Sequence, residues 1–394
     1  MTSVNQTTHA PTDDQPLLLK AREFAPRARE YSVDIDRERR LPASLVAEMR
    51  DAGFFHALLP RDVGGQEADP VTAGRIVEEI ARGDGSAGWC VMLAAQSCSF
   101  AGFIPKQDAL EVYGNGGIVA GTARPIGRAV ATKEPADGYI VSGRWPFASG
   151  SSHATWFAGE CIVYDGEEPR LDDNGNEVSR MCFFRAAEAQ VIDTWDTIGL
   201  RGTASNDFST DGTFVPKSRG FQVIVDKPMH DWPLYKFEPL AFINHGTHAL
   251  GVARGAIDSA IDVAMTKHGW GGVMMKDVPR MQAAIAEAKA LVDSAAAYLY
   301  DSSWRLWQGA LSGENDVQLR GIVRLATSHA MKASLEAVDG LHAAVATTGI
   351  FNTSPISRQF RDIHTASAHV MIGTMTIEAA GRVILGGEAG FPFF

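Results

Sequence analysis

The sequence predicts an α+β fold that is mostly α-helical, with helices at both ends of the chain and strands in the middle. Three observations predict it: helical apolar patterns up to about residue 115, short alternating runs divided by Gly, Pro and Asp, and long Ala- and Leu-rich helical patterns near the C-terminus. We therefore expect a disordered arm at 1–14, an N-terminal α-helical domain at 15–115, a middle antiparallel β-domain at 116–228 and a C-terminal four-helix bundle at 229–394.

Composition and charge exclude several kinds of partner. The 394 residues include 36 Lys and Arg against 47 Asp and Glu, a net charge of -11, whereas nucleic acids and anionic membranes bind positively charged surfaces. The first residues lack the apolar core of a signal peptide, and no apolar run approaches the length that spans a bilayer. The four cysteines have no CxxC spacing, which predicts buried thiols, a cytoplasmic location and no metal site.

The N-terminal helices are predicted from apolar spacing and from start signals. Apolar residues recur at helical spacing over 16–31, a second helix follows Pro42, and Asp69 with Pro70 opens a third helix through Ala81. The first of these helices is amphipathic, and the second has an apolar face marked by Leu45, Val46, Met49 and Phe54.

A fourth helix, within residues 83–103, is apolar on nearly all sides, which predicts burial. Its Gln96 must bond to nearby backbone or face a ligand cavity, because a buried amide needs hydrogen-bond partners. Trp89, Met92 and Phe100 belong either to the wall of such a cavity or to the plain core.

The middle region contains a distinctive stretch at 143–156, GRWPFASGSSHATW, in which a strand runs into small residues. After Phe147, the residues from Ala148 to Ser152 have so little side-chain bulk that a flat ligand could lie against the backbone, with hydroxyls and amides as hydrogen-bonding groups. This suits the edge of a flavin ring. An ordinary polar turn that closes a hairpin is the alternative.

The C-terminal region predicts four long helices at 238–268, 276–312, 316–347 and 355–387. Their apolar residues lie on more than one face, which is typical of helices that also pack against a second subunit.

This order of domains resembles the acyl-CoA dehydrogenase fold, over nearly the whole chain. Residues 34–65, DIDRERRLPASLVAEMRDAGFFHALLPRDVGG, resemble the N-terminal helix and loop of that superfamily, and residues 199–216, GLRGTASNDFSTDGTFVP, resemble its second β-domain signature. The pair Arg361–Asp362 resembles the start of its last helix.

Two segments depart from the dehydrogenases. Residues 361–378, RDIHTASAHVMIGTMTIE, have no acid between Asp362 and Glu378 where many dehydrogenases carry the catalytic Glu, and ATTG at 346–349 replaces their GGxG run. Some members place the base on another helix, so an acyl-CoA dehydrogenase or related FAD oxidase remains an alternative. A non-catalytic scaffold that binds no flavin is a further one.

The oxygenase branch of the superfamily matches better. The patterns WxFxSGxxHxxW at 145–156 and RDxxTAxxH at 361–369 resemble the group D flavin-dependent monooxygenases of two-component systems. The resemblance implies a homotetramer that receives reduced flavin, FMNH2 or also FADH2, from a separate reductase. With O2 it would hydroxylate an aromatic or heteroaromatic small molecule, such as a phenol or indole, through a C4a-hydroperoxyflavin.

The resemblance also implies roles for individual residues at the flavin. Ser149 falls close to flavin N5 as a catalytic hydroxyl, with Phe147 against the ring, while Thr122 and Ala123 meet the pyrimidine edge. Lys267 and Arg361 are candidates for the flavin phosphate, with ordinary salt bridges as the alternative.

At the substrate, His369 is the candidate acid/base, because imidazole titrates near neutral pH; a structural histidine is the alternative. In the GLRGTASND loop, Arg201, Ser205 and Asn206 would line the cavity mouth or simply form a turn. The predicted substrate pocket consists of Trp89, Met92, Gln96, Phe100, Phe237 and His369.

Overall fold

Helices form both ends of the described chain and one sheet forms its middle, as the sequence predicts. The computed structural model describes residues 15–222, 225–236 and 243–391, together with Phe394; the predicted arm at 1–14 lies outside them. The helices are α1 (Pro16–Glu38), α2 (Ala43–Ala52), α3 (Pro70–Gly83), α4 (Gly85–Cys98), α5 (Lys106–Tyr113), α6 (Pro233–Lys236), α7 (Asn244–Thr266), α8 (Pro279–Ser312), α9 (Val317–Val345), α10 (Pro355–Ser367) and α11 (Thr374–Ile384). The strands are β1 (Val119–Thr132), β2 (Gly138–Ala148), β3 (Trp156–Asp165), β4 (Glu168–Pro169), β5 (Ser179–Arg185), β6 (Gln190–Ile192), β7 (Asn206–Pro216) and β8 (Gly220–Phe221).

Two aspartates start the helices that lead to the centre of the molecule. Asp69 caps α3 by accepting from the backbone N–H of Val71 and of Thr72, both at 2.9 Å, and such a cap stabilises a helix by about 1 kcal/mol. Asp84 caps α4 by accepting from Ala87 N at 2.9 Å. Helix α4 is buried along almost its whole length, as its uniformly apolar sequence predicts.

The sheet is mixed, which corrects the prediction of an antiparallel β-domain. Its strand order is β6-β7-β2-β1-β3-β5-β8, with β4 beside β3, and β1 pairs parallel with β3 while the other neighbours are antiparallel. The reason is the path of the chain after β2. Residues 149–155 carry the chain from one side of β1 to the other, so they form a crossover between strands and not a hairpin turn.

Trp145 fills the centre of the sheet's core. Its indole is fully buried, lies 5.1 Å from the Phe208 ring and donates to the backbone oxygen of Glu160 at 2.8 Å. A Cβ on Gly127 would lie only 2.1 Å from this ring, so glycine is required there. The tryptophan of the WxFxSG pattern therefore belongs to the core that holds the sheet together.

The last predicted helix, 355–387, is two helices. Helix α10 ends at Ser367 and α11 begins at Thr374. Between them His369 is extended, with φ -73° and ψ 134°, and caps a short 3-10 turn by accepting from Met371 N. The pair Arg361–Asp362 lies in the middle of α10 and not at the start of the last helix. The predicted helical placement of His369 is thus wrong, because its ring bonds to the following backbone.

Helix α7 lies at the centre of the helical part of the molecule. It packs against α3, α4, α8, α9 and α10, and its first residues, Asn244 to Leu250, are all buried. All four cysteines are free and buried. None of the described helices is long and apolar enough to cross a membrane.

Candidate active site

A cavity of about 930 Å³ lies where the sheet meets the helices. Its wall combines one face of α4, the first half of β1, the crossover after β2, the loop before β7, the start of α7 and the break after α10. The volume is near the upper end for a small-molecule site, and most of the lining is apolar with a few polar groups.

Phe147 near the end of β2 and Ser149 at the start of the crossover contribute to one wall of the cavity. Phe147 has a positive φ of 65°, an uncommon backbone conformation for a bulky residue, and its half-exposed ring lines the cavity beside Trp195. Gly150 N donates to Thr203 O at 2.7 Å, and Ser151 Oγ donates to Ala204 O at 2.6 Å. The crossover is thereby bonded to the loop that precedes β7.

That loop, residues 199–206, is itself anchored by α10. The Asp362 carboxylate accepts from Leu200 N at 2.6 Å. A Cβ on Gly199 would lie 2.0 Å from Arg361 O, so only glycine allows the loop to lie this close to the helix. The pair Arg361–Asp362 therefore positions the loop that supports the crossover.

A chain of hydrogen bonds runs from the cavity wall into this loop. Trp89 Nε1 donates to Ser149 Oγ at 3.2 Å, and Ser149 Oγ lies 2.6 Å from Ser205 Oγ. Ser205 Oγ lies 2.7 Å from Thr203 Oγ1, which donates to the Leu200 carbonyl at 2.8 Å. We call these four side chains, of Trp89, Ser149, Ser205 and Thr203, the hydroxyl chain.

Strand β1 presents backbone without a ladder partner to the cavity at Ala123 and Arg124. Its pairing with β3 stops at Thr122 and resumes at Gly127, and its pairing with β2 begins only at Arg128. Residues 123–126 therefore belong to neither ladder, and Thr122, Ala123 and Arg124 line the cavity. Backbone N–H and C=O groups without a ladder partner are available to a ligand.

Three histidine rings surround Trp89. The ring centroids of His248, His369 and His245 lie 5.0, 5.6 and 5.7 Å from that of Trp89, and His245 lies 4.5 Å from His369. Only His245 and His369 line the cavity. In the part of the chain that the structure describes, no group of His, Cys, Asp and Glu side chains is arranged to hold a metal ion.

The environment of His369 keeps its ring neutral. Burial lowers the pKa of His369 from 6.5 to about 4, because desolvation disfavours the imidazolium. Nδ1 accepts from Met371 N at 3.3 Å, so the remaining proton of the neutral ring sits on Nε2. His369 therefore offers the cavity an N–H donor near neutral pH.

The substrate residues predicted on α4 divide between cavity and core. Trp89, Gln96 and Phe100 line the cavity, whereas Met92 is fully buried in the helical core and does not reach it. Phe237 lies outside the described residues. The Gln96 amide nitrogen is 3.3 Å from His245 Nδ1.

Glu160 is the one carboxylate among the described residues that line the cavity. Its carboxylate accepts from Ser179 Oγ at 2.7 Å, and burial raises its pKa. Glu160 lies on β3, whereas many dehydrogenases carry their catalytic Glu on the last helix.

The two predicted phosphate ligands do not line the cavity. Arg361 pairs with Asp36 at 3.1 Å and donates to Ile198 O at 2.7 Å, so its guanidinium links α10 to α1 and to the residue that precedes the 199–206 loop. Lys267 ends α7 on the surface. Phosphate binding by Lys267 stays a prediction, while the contacts of Arg361 match the alternative of an ordinary salt bridge.

Several cavity residues could not be singled out from the sequence. Trp195 lies in a loop and Glu160 on β3, both without a distinguishing sequence pattern, and Thr203 does not line the cavity itself but contacts Ser205. The two histidines in NHGTH, 244–248, were the available signal for His245, since polar residues at the start of an apolar helix need buried partners. Of the three loop residues predicted for the cavity mouth, Ser205 alone lines the cavity.

Comparison with known proteins identifies the family. Residues 12–104 match the family "Acyl-CoA dehydrogenase, N-terminal domain" and residues 243–374 the family "Acyl-CoA dehydrogenase, C-terminal domain". The chain is 30% identical over 359 residues to indole-3-acetate monooxygenase of Pseudomonas putida, covering 90% of this chain and 89% of the relative.

Two further similarities extend over almost the full length. An alignment of 412 residues with the oxygenase component of the FADH(2)-dependent resorcinol hydroxylase of Rhizobium sp. (strain MTP-10005) shows 27% identity and covers 97% of each chain. The crystal structure of the HsaA monooxygenase from M. tuberculosis has a TM-score of 0.85 at 25% identity and covers 97% of this chain and 100% of that one.

These relatives are monooxygenases and hydroxylases, which supports the predicted oxygenase interpretation over the dehydrogenase alternative. The chain belongs to the oxygenase components of flavin-dependent monooxygenases, built on the acyl-CoA dehydrogenase fold.

Proposed function

We propose that this chain hydroxylates an aromatic or heteroaromatic small molecule of the phenol or indole type, using O2 and reduced flavin from a separate reductase. The observation that carries the proposal is the single cavity wall in which Ser149 and the unpaired backbone of β1 adjoin the aromatic residues of α4 and the neutral ring of His369. The relatives named for indole-3-acetate and resorcinol support a substrate of this class.

The residues present fit a flavin. Ser149 of the crossover presents its hydroxyl oxygen to the cavity, and the backbone of Ala123, which belongs to neither ladder, suits the polar pyrimidine edge together with the neighbouring Thr122. Phe147 lies beside them to cover one face of a ring. When bound, reduced flavin supplies the electrons that activate dioxygen. These side chains would hold the ring and keep water from it.

The remaining wall suits the substrate. Trp89 and Phe100 offer apolar surface for an aromatic ring, and Gln96 and His369 supply polar groups at its edge. Since His369 is neutral with its proton on Nε2, we assign it the role of a hydrogen-bond donor to a phenolic oxygen. This refines the predicted acid/base role, because a ring with a pKa of about 4 is a weak base.

Turnover with labelled oxygen tests the proposed activity. Flavin reduced chemically under anaerobic conditions would be mixed with the protein, a panel of phenols and indoles, and buffer equilibrated with ¹⁸O2. We expect a hydroxylated product that carries one ¹⁸O atom, detected by mass spectrometry. Absence of product across the panel, together with reduction of bound FAD by an acyl-CoA thioester, would return the assignment to the dehydrogenases.

Ser149→Ala tests the flavin end of the site. Removing the hydroxyl should lower the product formed per reduced flavin roughly tenfold or more, with the lost fraction appearing as hydrogen peroxide. Ser152→Ala is the matched control, because Ser152 lies in the same crossover but is exposed. Measurement of product and peroxide for both variants decides the role. Full coupling in the Ser149→Ala enzyme would remove Ser149 from the proposal.

A further inference from the structure

The two ends of the hydroxyl chain fix the direction of every hydrogen in it. An indole nitrogen only donates and a carbonyl oxygen only accepts. Thr203 uses its one hydroxyl hydrogen on the Leu200 carbonyl, at 2.8 Å, so Ser205 must donate to Thr203 across 2.7 Å. Ser149 must then donate to Ser205 across 2.6 Å.

Ser149 therefore has no hydrogen left for a ligand. A hydroxyl oxygen accepts up to two hydrogen bonds, and one of these positions is taken by Trp89 Nε1 at 3.2 Å. One acceptor position remains, and Ser149 lines the cavity. In this arrangement a ligand atom that meets Ser149 Oγ must bring its own hydrogen.

This property distinguishes the two redox states of a flavin. The ring nitrogen N5 carries a hydrogen in reduced flavin, whereas in oxidised flavin it is an acceptor with a lone pair. We propose that the hydroxyl chain makes Ser149 an acceptor only, and that the chain thereby selects reduced over oxidised flavin. The inference rests on the proposed function, in which Ser149 meets flavin N5.

Thr203 and Ser205 are accordingly positioning residues. Thr203 is fully buried and does not line the cavity. Without its hydroxyl, the hydrogen of Ser205 can turn toward Ser149, and the hydrogen of Ser149 then becomes free to donate to the N5 of oxidised flavin. Removing the Ser205 hydroxyl frees the hydrogen of Ser149 directly. Both changes should therefore raise the affinity for oxidised flavin relative to reduced flavin.

The test compares dissociation constants of oxidised and reduced FMN, measured by anaerobic titration, for the wild type, Thr203→Val, Ser205→Ala and the double variant. We expect the preference for reduced flavin to fall roughly fivefold to tenfold in each single variant, the effect of about one neutral hydrogen bond. A change of that size lowers the two-electron potential of the bound flavin by about 20–30 mV. The double variant should show no further loss, because both substitutions break the same chain.

Thr327→Val is the matched control. Thr327 is a buried threonine of α9 that donates to Val323 O at 2.8 Å, so its substitution removes an equivalent hydroxyl outside the chain. Its preference ratio should equal that of the wild type. Adding Thr203→Val to the Ser149→Ala enzyme should leave the preference ratio of Ser149→Ala unchanged, since the only group that the chain orients toward the flavin is already gone.

The outcomes separate the two proposals. If the wild type prefers reduced flavin while Thr203→Val and Ser205→Ala keep its ratio, the inference is wrong and the proposed function stands. If the wild type binds no reduced flavin, both are wrong. Should Thr203→Val unfold, Ser205→Ala decides alone, because it removes only one hydroxyl from the cavity wall.

Discussion

The backbone at His369 decides what its ring can do. An extended conformation between α10 and α11 lets Nδ1 accept from Met371 N, which leaves the proton on Nε2, and burial holds the pKa at about 4. The ring is neutral above that pH. It can donate a hydrogen bond at neutral pH without changing its charge.

We therefore expect His369→Asn to keep more activity than His369→Leu. Asn can cap the following turn and still offers an N–H donor, whereas Leu removes both functions, so kcat/KM for a phenolic substrate should fall roughly 100-fold or more in the Leu variant. Because the lowered pKa leaves His369 neutral, kcat/KM of the wild type should show no ionisation of this residue between pH 5.5 and 9. His364→Asn is the control, since His364 is bonded to Asp339 at 2.8 Å outside the cavity.

The pH profile can contradict the role of His369 as a neutral hydrogen-bond donor. A limb near pH 6.5 in the wild type that is absent in His369→Asn would mean that the ring titrates during turnover, as an acid or base. Equal loss in the Asn and Leu variants would mean that neither the donor nor the cap is used.

At the scale of residues, the sequence located the stretch that forms the cavity wall, but it did not show which of its side chains line the cavity. The pattern WPFAS marks the wall of the cavity, yet Trp145 is core while Phe147 and Ser149 line the cavity. The sequence pattern does not tell core residues from cavity residues here. The in-and-out alternation of side chains along β2 is interrupted where its pairing with β7 shifts register after Trp145.

At the scale of elements, the break between α10 and α11 could not be predicted from apolar spacing. Residues 355–387 keep helical periodicity on both sides of the break, so the pattern alone predicts one helix. The interruption depends on the hydrogen bond of His369 to its own following turn, and Gly373 precedes α11 in an extended conformation. Gly373, which favours a break, was the available local signal.

The contact between α10 and the 199–206 loop depends on a buried pair of carboxyls. Burial and the neighbouring Asp84 raise the pKa of Asp362 from 3.8 to about 7, and burial raises that of Asp84 to about 6. A carboxyl whose pKa is raised on folding stabilises the fold below its unfolded pKa, and this contribution is lost as pH rises through the folded pKa. The stabilisation from Asp362 should therefore decline between pH 4 and pH 7.

Asp362→Asn should remove this pH dependence. The amide oxygen can still accept from Leu200 N, but no proton is lost on raising the pH. The free energy of unfolding of the wild type should fall between pH 5 and pH 8 by roughly 2–3 kcal/mol more than that of the variant, since one pKa unit corresponds to about 1.4 kcal/mol. Chemical denaturation at both pH values measures the difference. His153, His248 and His369, each lowered to about 4, act in the opposite direction in both proteins and cancel.

Asp301→Asn is the control for this comparison. Asp301 is an exposed carboxylate on α8 whose partner Arg305 is 3.8 Å away, and exposed pairs contribute little to stability. Its pH dependence should match that of the wild type. If Asp362→Asn retains the full difference between pH 5 and pH 8, the buried carboxyl is not the group that titrates.

At the scale of the whole molecule, the order of helices and strands follows from local periodicity, which the sequence carries directly. The cavity does not, because its wall comes from segments as distant as Trp89, Thr122, Ser149, His245 and His369. The parallel pairing of β1 with β3 is similarly a matter of chain path. The resemblance to a family supplied what periodicity could not, namely the prediction that these segments meet at a flavin. The homotetramer stays a prediction.

Because the cavity joins the sheet to helices from both ends of the chain, a ligand bound there should stabilise the molecule as a whole. A ligand that binds only the folded state adds about 2.7 kcal/mol to the free energy of unfolding at a concentration of 100 Kd. We expect reduced FMN under anaerobic conditions to raise the unfolding midpoint, and oxidised FMN at the same concentration to raise it less. Hydrogen exchange should slow together in residues 119–126, 147–153 and 365–373. Protection confined to the sheet would mean that the flavin does not bridge the helices and the crossover. Equal stabilisation by both redox states would contradict the selection of reduced flavin. A smaller difference between the two midpoints in Thr203→Val than in the wild type would tie that selection to the hydroxyl chain.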